Sequence, residues 1–126
     1  MNKKFVTALN CIDGRTQIPV TNWLKENFNI AYVDLITEPG MNKVLSQGSI
    51  CETERIKEKV IISITAHNSN LIAIVGHFDC AANPVDKYKH FSDIVKSSYV
   101  VSSWNLNVRI IGLWVDEFWN VSQVNL

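Results

Sequence analysis

With 126 residues, 47% of them hydrophobic, the chain is expected to fold as one domain, residues 1–126, around a core that needs no disulfides. Twelve basic residues balance twelve acidic ones, so no net charge draws it to nucleic acid or to an anionic membrane. The apolar runs are far shorter than the roughly 20 residues of a membrane span, and three dispersed cysteines speak for reduced thiols in a cytoplasm.

Lys3 and Lys4 precede an apolar stretch too short for a signal peptide. Residues 4–9 read as a buried strand ending at Asn10 and Cys11, and the loop Asp13-Gly14-Arg15 follows. Pro19 opens a short helical stretch to about Asn27, with Trp23, Leu24 and Phe28 on one face. Residues 30–36 form a second strand, and Glu38-Pro39-Gly40 is a turn signal. Ser49 and Glu52 have the spacing of a capping box, and Ile56, Val60 and Ile64 give the helix that follows an apolar face to about Asn68. Residues 71–76 are the third and most apolar strand. Asn83-Pro84 reads as the start of a helix that buries Val85, Tyr88, Phe91, Ile94 and Val95. Residues 108–115 are a fourth strand, and the tail from Asp116 is irregular, or an edge strand or hairpin. Strands alternating with helices predict a three-layer α/β/α fold with a mostly parallel central sheet of four to five strands.

Two motifs stand at strand ends: Cys11-Ile12-Asp13-Gly14-Arg15 and Gly76-His77-Phe78-Asp79-Cys80. Ligands in parallel sheets bind beyond the carboxyl ends of the strands, so Cys11, His77 and Cys80 can meet there although distant in sequence. Two thiolates and an imidazole suit zinc and leave a fourth position for water or a carboxylate. Asp13 can take a proton from a zinc-bound water, or close the site as fourth ligand. Arg15 can hold the Asp13 carboxylate through a bidentate pair and keep it ionised.

The CxDxR motif, followed much later by an apolar strand and GHxxC, resembles the β-class carbonic anhydrase family from about Phe5 to Val115. The resemblance implies that Cys11, His77 and Cys80 are zinc ligands and that Asp13 and Arg15 form a catalytic dyad. It also implies a β-carbonic-anhydrase-like α/β fold and the reversible hydration of carbon dioxide to bicarbonate by zinc-bound hydroxide. It implies a homodimer or higher homo-oligomer, with parts of each site supplied by the partner. The chain differs from the family in lacking a glutamine before Cys11, in the segment Ile36–Gly40 after the second strand, and in Ala81 after the second cysteine. Carbonyl sulfide or carbon disulfide is the alternative substrate, and a non-catalytic zinc-binding protein the alternative role. Cys51 is expected to lie apart from the site, and His67 to serve a helix end. His90 is expected on the polar side of its helix, or at its margin. Trp104, Trp114 and Trp119, which cluster toward the C-terminus of the sequence, are expected in the core and at an edge, or alternatively at an oligomer interface. No GxGxxG or P-loop supports a nucleotide site.

Overall fold

In the computed structural model, which describes residues 3–126, the strands are β1 (Phe5–Cys11), β2 (Tyr32–Glu38), β3 (Leu71–His77), β4 (Arg109–Val115) and β5 (Val121–Val124). They form one sheet in the order β2-β1-β3-β4-β5, parallel except for β5, which runs antiparallel to β4. The helices are α1 (Gly14–Phe28), α2 (Met41–Gln47), α3 (Ile50–His67) and α4 (Lys87–Ser102). Alternation along β3 shows why both faces are covered. Leu71, Ala73 and Val75 pack with Val20 and Leu24 of α1, whereas Ile72 and Ile74 pack with Leu45, Ile56, Val60 and Ile94 of the other three helices. The three-layer fold and mostly parallel sheet predicted from the sequence are therefore present. No helix among the described residues is long and apolar enough to cross a membrane.

The capping box of α3 forms as its spacing predicts, with Ser49 and Glu52 each bonding the other's backbone N–H. Four other details differ from expectation. Helix α1 begins at Gly14 rather than Pro19, because Asp13 Oδ1 accepts from the Arg15 N–H at 2.9 Å and starts the helix five residues earlier. Pro19 lies inside it in the second turn, where its missing N–H forgoes the helical bond to the Arg15 carbonyl. Residues after the Gly40 turn form the additional helix α2. Helix α4 begins at Lys87, because the Asp86 side chain caps the Lys89 N–H and leaves Asn83-Pro84 in the preceding loop.

That later start changes which face of α4 is buried. His90, Ile94, Ser97 and Val101 form the inward stripe, while Tyr88 is 80% exposed. His90 is thus buried, not on the polar side. Asp93, fully buried beside it, is satisfied by the Asn83 amide at 3.1 Å and by Lys89. Trp114 is buried against His90 and Phe91, while Trp104 packs at the margin of the α4 face and Trp119 on the α1 face.

Candidate metal centre

β1 is followed by β2 on one side, and β3 by β4 on the other, so the connections diverge between β1 and β3. Crevices form at such points beyond the carboxyl ends of the strands. Cys11 is the last residue of β1 and His77 the last of β3. Cys80 returns on the turn after β3, where Asp79 takes a left-handed conformation, φ 58°. Gly40 is left-handed too, and a Cβ there would come within 3.1 Å of Ala82 Cβ, so glycine lets the loop after β2 close over this turn.

Cys11, His77 and Cys80 are all buried. Their candidate ligand atoms lie within 4.8 Å of one another, and the two sulfurs are 4.0 Å apart. Zinc–sulfur bonds of about 2.3 Å in a tetrahedron would set the sulfurs nearly this far apart. His77 Nδ1–H donates to the Phe78 carbonyl at 2.7 Å, which fixes the ring and leaves the buried Nε2 without a partner. An orphaned imidazole nitrogen facing two thiols fits a soft divalent cation, and zinc in particular. The hydrogen bond between the two sulfurs lowers the Cys11 pKa and, with burial, pushes the Cys80 pKa up. Burial disfavours charge on His77, but the Cys11 thiolate and the Phe78 carbonyl outweigh it and raise its pKa. Both thiols can be ionised together only if a positive charge joins them. Cys51, exposed at the start of α3, belongs to no such group.

Asp13 and Arg15 form the fork that their spacing predicts, with Nε donating to Oδ1 at 3.1 Å and Nη2 to Oδ2 at 2.7 Å. The guanidinium holds the Asp13 pKa down to about 2. Arg15 has further partners that sequence reasoning missed. Nη1 donates to Asp79 Oδ2 at 3.3 Å and Nη2 to the Asp79 carbonyl at 3.2 Å. The guanidinium also sits 4.5 Å from the centroid of the Trp119 ring. Trp119 is left-handed as well, φ 63°, on the turn between β4 and β5. Position inside GHxxC was a signal for Asp79, whereas nothing in the sequence pointed to Trp119.

Beside the centre a cavity of about 490 Å³ is lined by Phe78, Cys80, Val85, His90 and Trp114, among others. His90 also borders the smaller space at the candidate ligands. Burial, and then the nearby His77 charge, lower its pKa. His67 lies elsewhere, paired with Asp34 at 2.7 Å near the edge strand β2.

Comparison with known proteins follows the same lines. A family model described as "Putative carbonic anhydrase" matches residues 1–125. The fold is similar to that of the β-carbonic anhydrase isoform I of Trichomonas vaginalis, at 17% identity and a TM-score of 0.52, covering 94% of this chain and 81% of that one. It is similar also to β-carbonic anhydrases of Sordaria macrospora described as tetrameric, at 8% identity and a TM-score of 0.57, covering 100% and 82%. A carbonic anhydrase from Glaciozyma antarctica matches at 12% identity and a TM-score of 0.52, covering 94% and 81%. No curated protein matches the chain. At identities this low the solved structures support the fold alone, and it is the family model, matching almost the whole length, by which the chain belongs to this carbonic anhydrase family.

Proposed function

We propose that the chain, as one domain over residues 1–126, is a zinc-dependent lyase that reversibly hydrates carbon dioxide to bicarbonate. The observation that carries this reading is the convergence of two buried thiols on an imidazole nitrogen that has no other partner. Cys11, His77 and Cys80 would hold the zinc. When bound, zinc would supply Lewis acidity and a nucleophile from water near neutral pH.

The remaining steps belong to the chain's own residues. Asp13, kept ionised by Arg15, receives a proton at its carboxylate and is held away from the thiols by the bidentate pair. Asp79 and Trp119 position Arg15 and so the orientation of Asp13. Phe78, Val85 and Trp114 give the adjacent cavity an apolar side against which a small linear molecule can lie, and charged residues such as Asp86 and Lys87 line the rest. We expect a homodimer or a higher homo-oligomer, and a cytoplasmic enzyme.

Stopped-flow hydration of carbon dioxide, on protein carrying about one zinc per chain, tests the proposal. Hydration well above buffer that is abolished in Cys80→Ser supports enzyme and site together. No hydration between about pH 7 and 9 with zinc present removes the reaction. Sulfide release from carbonyl sulfide or carbon disulfide would then identify the substrate. Asp13 coordinated to zinc at every pH would instead mark a non-catalytic zinc protein.

A further inference from the structure

Three buried side-chain polar atoms among the described residues have no hydrogen-bond partner: Asn10 Nδ2, Asn42 Oδ1 and His77 Nε2. Asn42 and His77 line the same cavity of about 10 Å³, which Cys11 and Cys80 also bound. That is room for a single ion, and the cavity of about 490 Å³, which shares Cys80 and His90 with it, adjoins this space.

The orientation of the Asn42 amide is fixed by chemistry. Its Nδ2 donates at 2.9 Å to the Val75 carbonyl, which can only accept. Oδ1 is therefore the atom left over. The main-chain carbonyl of Asn42 is anchored in turn by accepting from Ser46 Oγ at 2.6 Å and from Ser97 Oγ at 3.2 Å. The whole residue is only 4% exposed. Gly76 gives the amide its space, because a Cβ there would lie 3.3 Å from Asn42 Nδ2 and 2.9 Å from Ile94 Cδ1. The glycine that precedes His77 thus serves Asn42 as well as the strand end.

The groups around this cavity offer electron pairs and few hydrogens. The thiolates and His77 Nε2 have a partner in a cation. An amide oxygen is a poor competitor for zinc beside thiolate and imidazole, so Asn42 Oδ1 still needs a hydrogen. We propose that Asn42 Oδ1 accepts a hydrogen bond from the oxygen species held at the metal centre, and so selects ligands that carry a hydrogen over those that do not. The proposal rests on the metal-binding reading above, and adds to it a residue that touches the reacting species. Water and bicarbonate satisfy the acceptor. An anion of the same charge and shape without a hydrogen meets its lone pair.

Nitrate and bicarbonate are both planar, singly charged and similar in size, but only bicarbonate carries a hydrogen. Each is titrated into cobalt-loaded protein and followed by the visible spectrum of the metal, which needs no turnover. The wild type is expected to prefer bicarbonate, and Asn42→Val to lose about tenfold of that preference. A crystal structure of the zinc-loaded wild type is expected to place an ordered oxygen at about 2.6–3.2 Å from Asn42 Oδ1. If the valine variant fails to fold, the crystal structure decides by itself. Metal bound with neither an oxygen at Oδ1 nor a changed preference overturns this inference and leaves the metal reading intact, as does Oδ1 coordinated to the metal. Failure of the wild type to bind zinc or cobalt overturns both.

Discussion

Two parts of the site are held in opposite ways. Cys11, His77 and Cys80 are at most 6% exposed, and the two central strands and the turn after β3 fix their positions. The Arg15 side chain is 47% exposed, and its hold on Asp13 depends on a fork of hydrogen bonds, a second carboxylate and an aromatic face. The buried trio is held in place by backbone elements. The exposed arginine carries its charge already and has three partners among which it could redistribute. Metal uptake should therefore depend steeply on single members of the trio, and function more gradually on the residues around Arg15.

The largest expected effect is on zinc itself. Cys11→Ser, His77→Ala or Cys80→Ser should each lower zinc affinity by more than the roughly 10–100-fold typical of residues that merely support a ligand. Competition with a chromophoric chelator measures this, and a loss below tenfold in all three variants would take these residues out of the coordination sphere. Next comes Asp13→Ala, which should keep zinc and lose about 10²–10⁴ in turnover. Full activity with zinc retained would dismiss the proton role of Asp13.

pH sharpens the same contrast. Cys80 has its pKa raised without metal and must lose its proton to bind one, so zinc affinity should climb as pH rises, by about tenfold per unit for each proton released. The Asp13 pKa is shifted the other way. Arg15 lowers it, so the stability the pair contributes is present above the ordinary carboxylate range and disappears only as pH falls towards about 2. Acid unfolding of Arg15→Gln should accordingly begin at higher pH than that of the wild type. Zinc affinity that stays flat from about pH 6 to 8 would contradict proton release from Cys80 on binding.

Much of this was legible in the sequence because it follows from local rules. Short continuous apolar runs announced β1 and β3, and the Ser49–Glu52 spacing announced α3. CxDxR and GHxxC stand where strands end, so their convergence needed only the parallel-sheet rule. What escaped depended on side chains competing for one backbone segment, or on contacts distant in sequence. Asp13 outcompeted Pro19 as the start of α1, and Asp86 outcompeted Asn83 at α4, which moved His90 inward. Asn42 lies on a short helix that carries no cap side chain to signal it. Trp119 reaches Arg15 from the far end of the chain by a left-handed turn residue, and nothing in its neighbours' sequence encodes that meeting.

The smaller effects test whether the exposed half is a clamp. Asp79→Asn keeps the carbonyl contact and loses the ion pair, and should lower turnover by up to about tenfold with zinc content unchanged. Trp119→Ala should cost less, about two- to fivefold, as expected for an exposed cation–π contact. A merely structural role for Trp119 predicts something different: lower thermal stability, with the turnover of folded protein unchanged. Rescue separates the two. Trp119→Phe restores an aromatic face to the guanidinium, though a smaller one, and should recover most of the turnover lost in Trp119→Ala. Trp119→Leu fills a similar apolar space without a π face and should not. If leucine rescues as well as phenylalanine, Trp119 supports the turn between β4 and β5 by packing alone, and Arg15 is held by Asp13 and Asp79 without it.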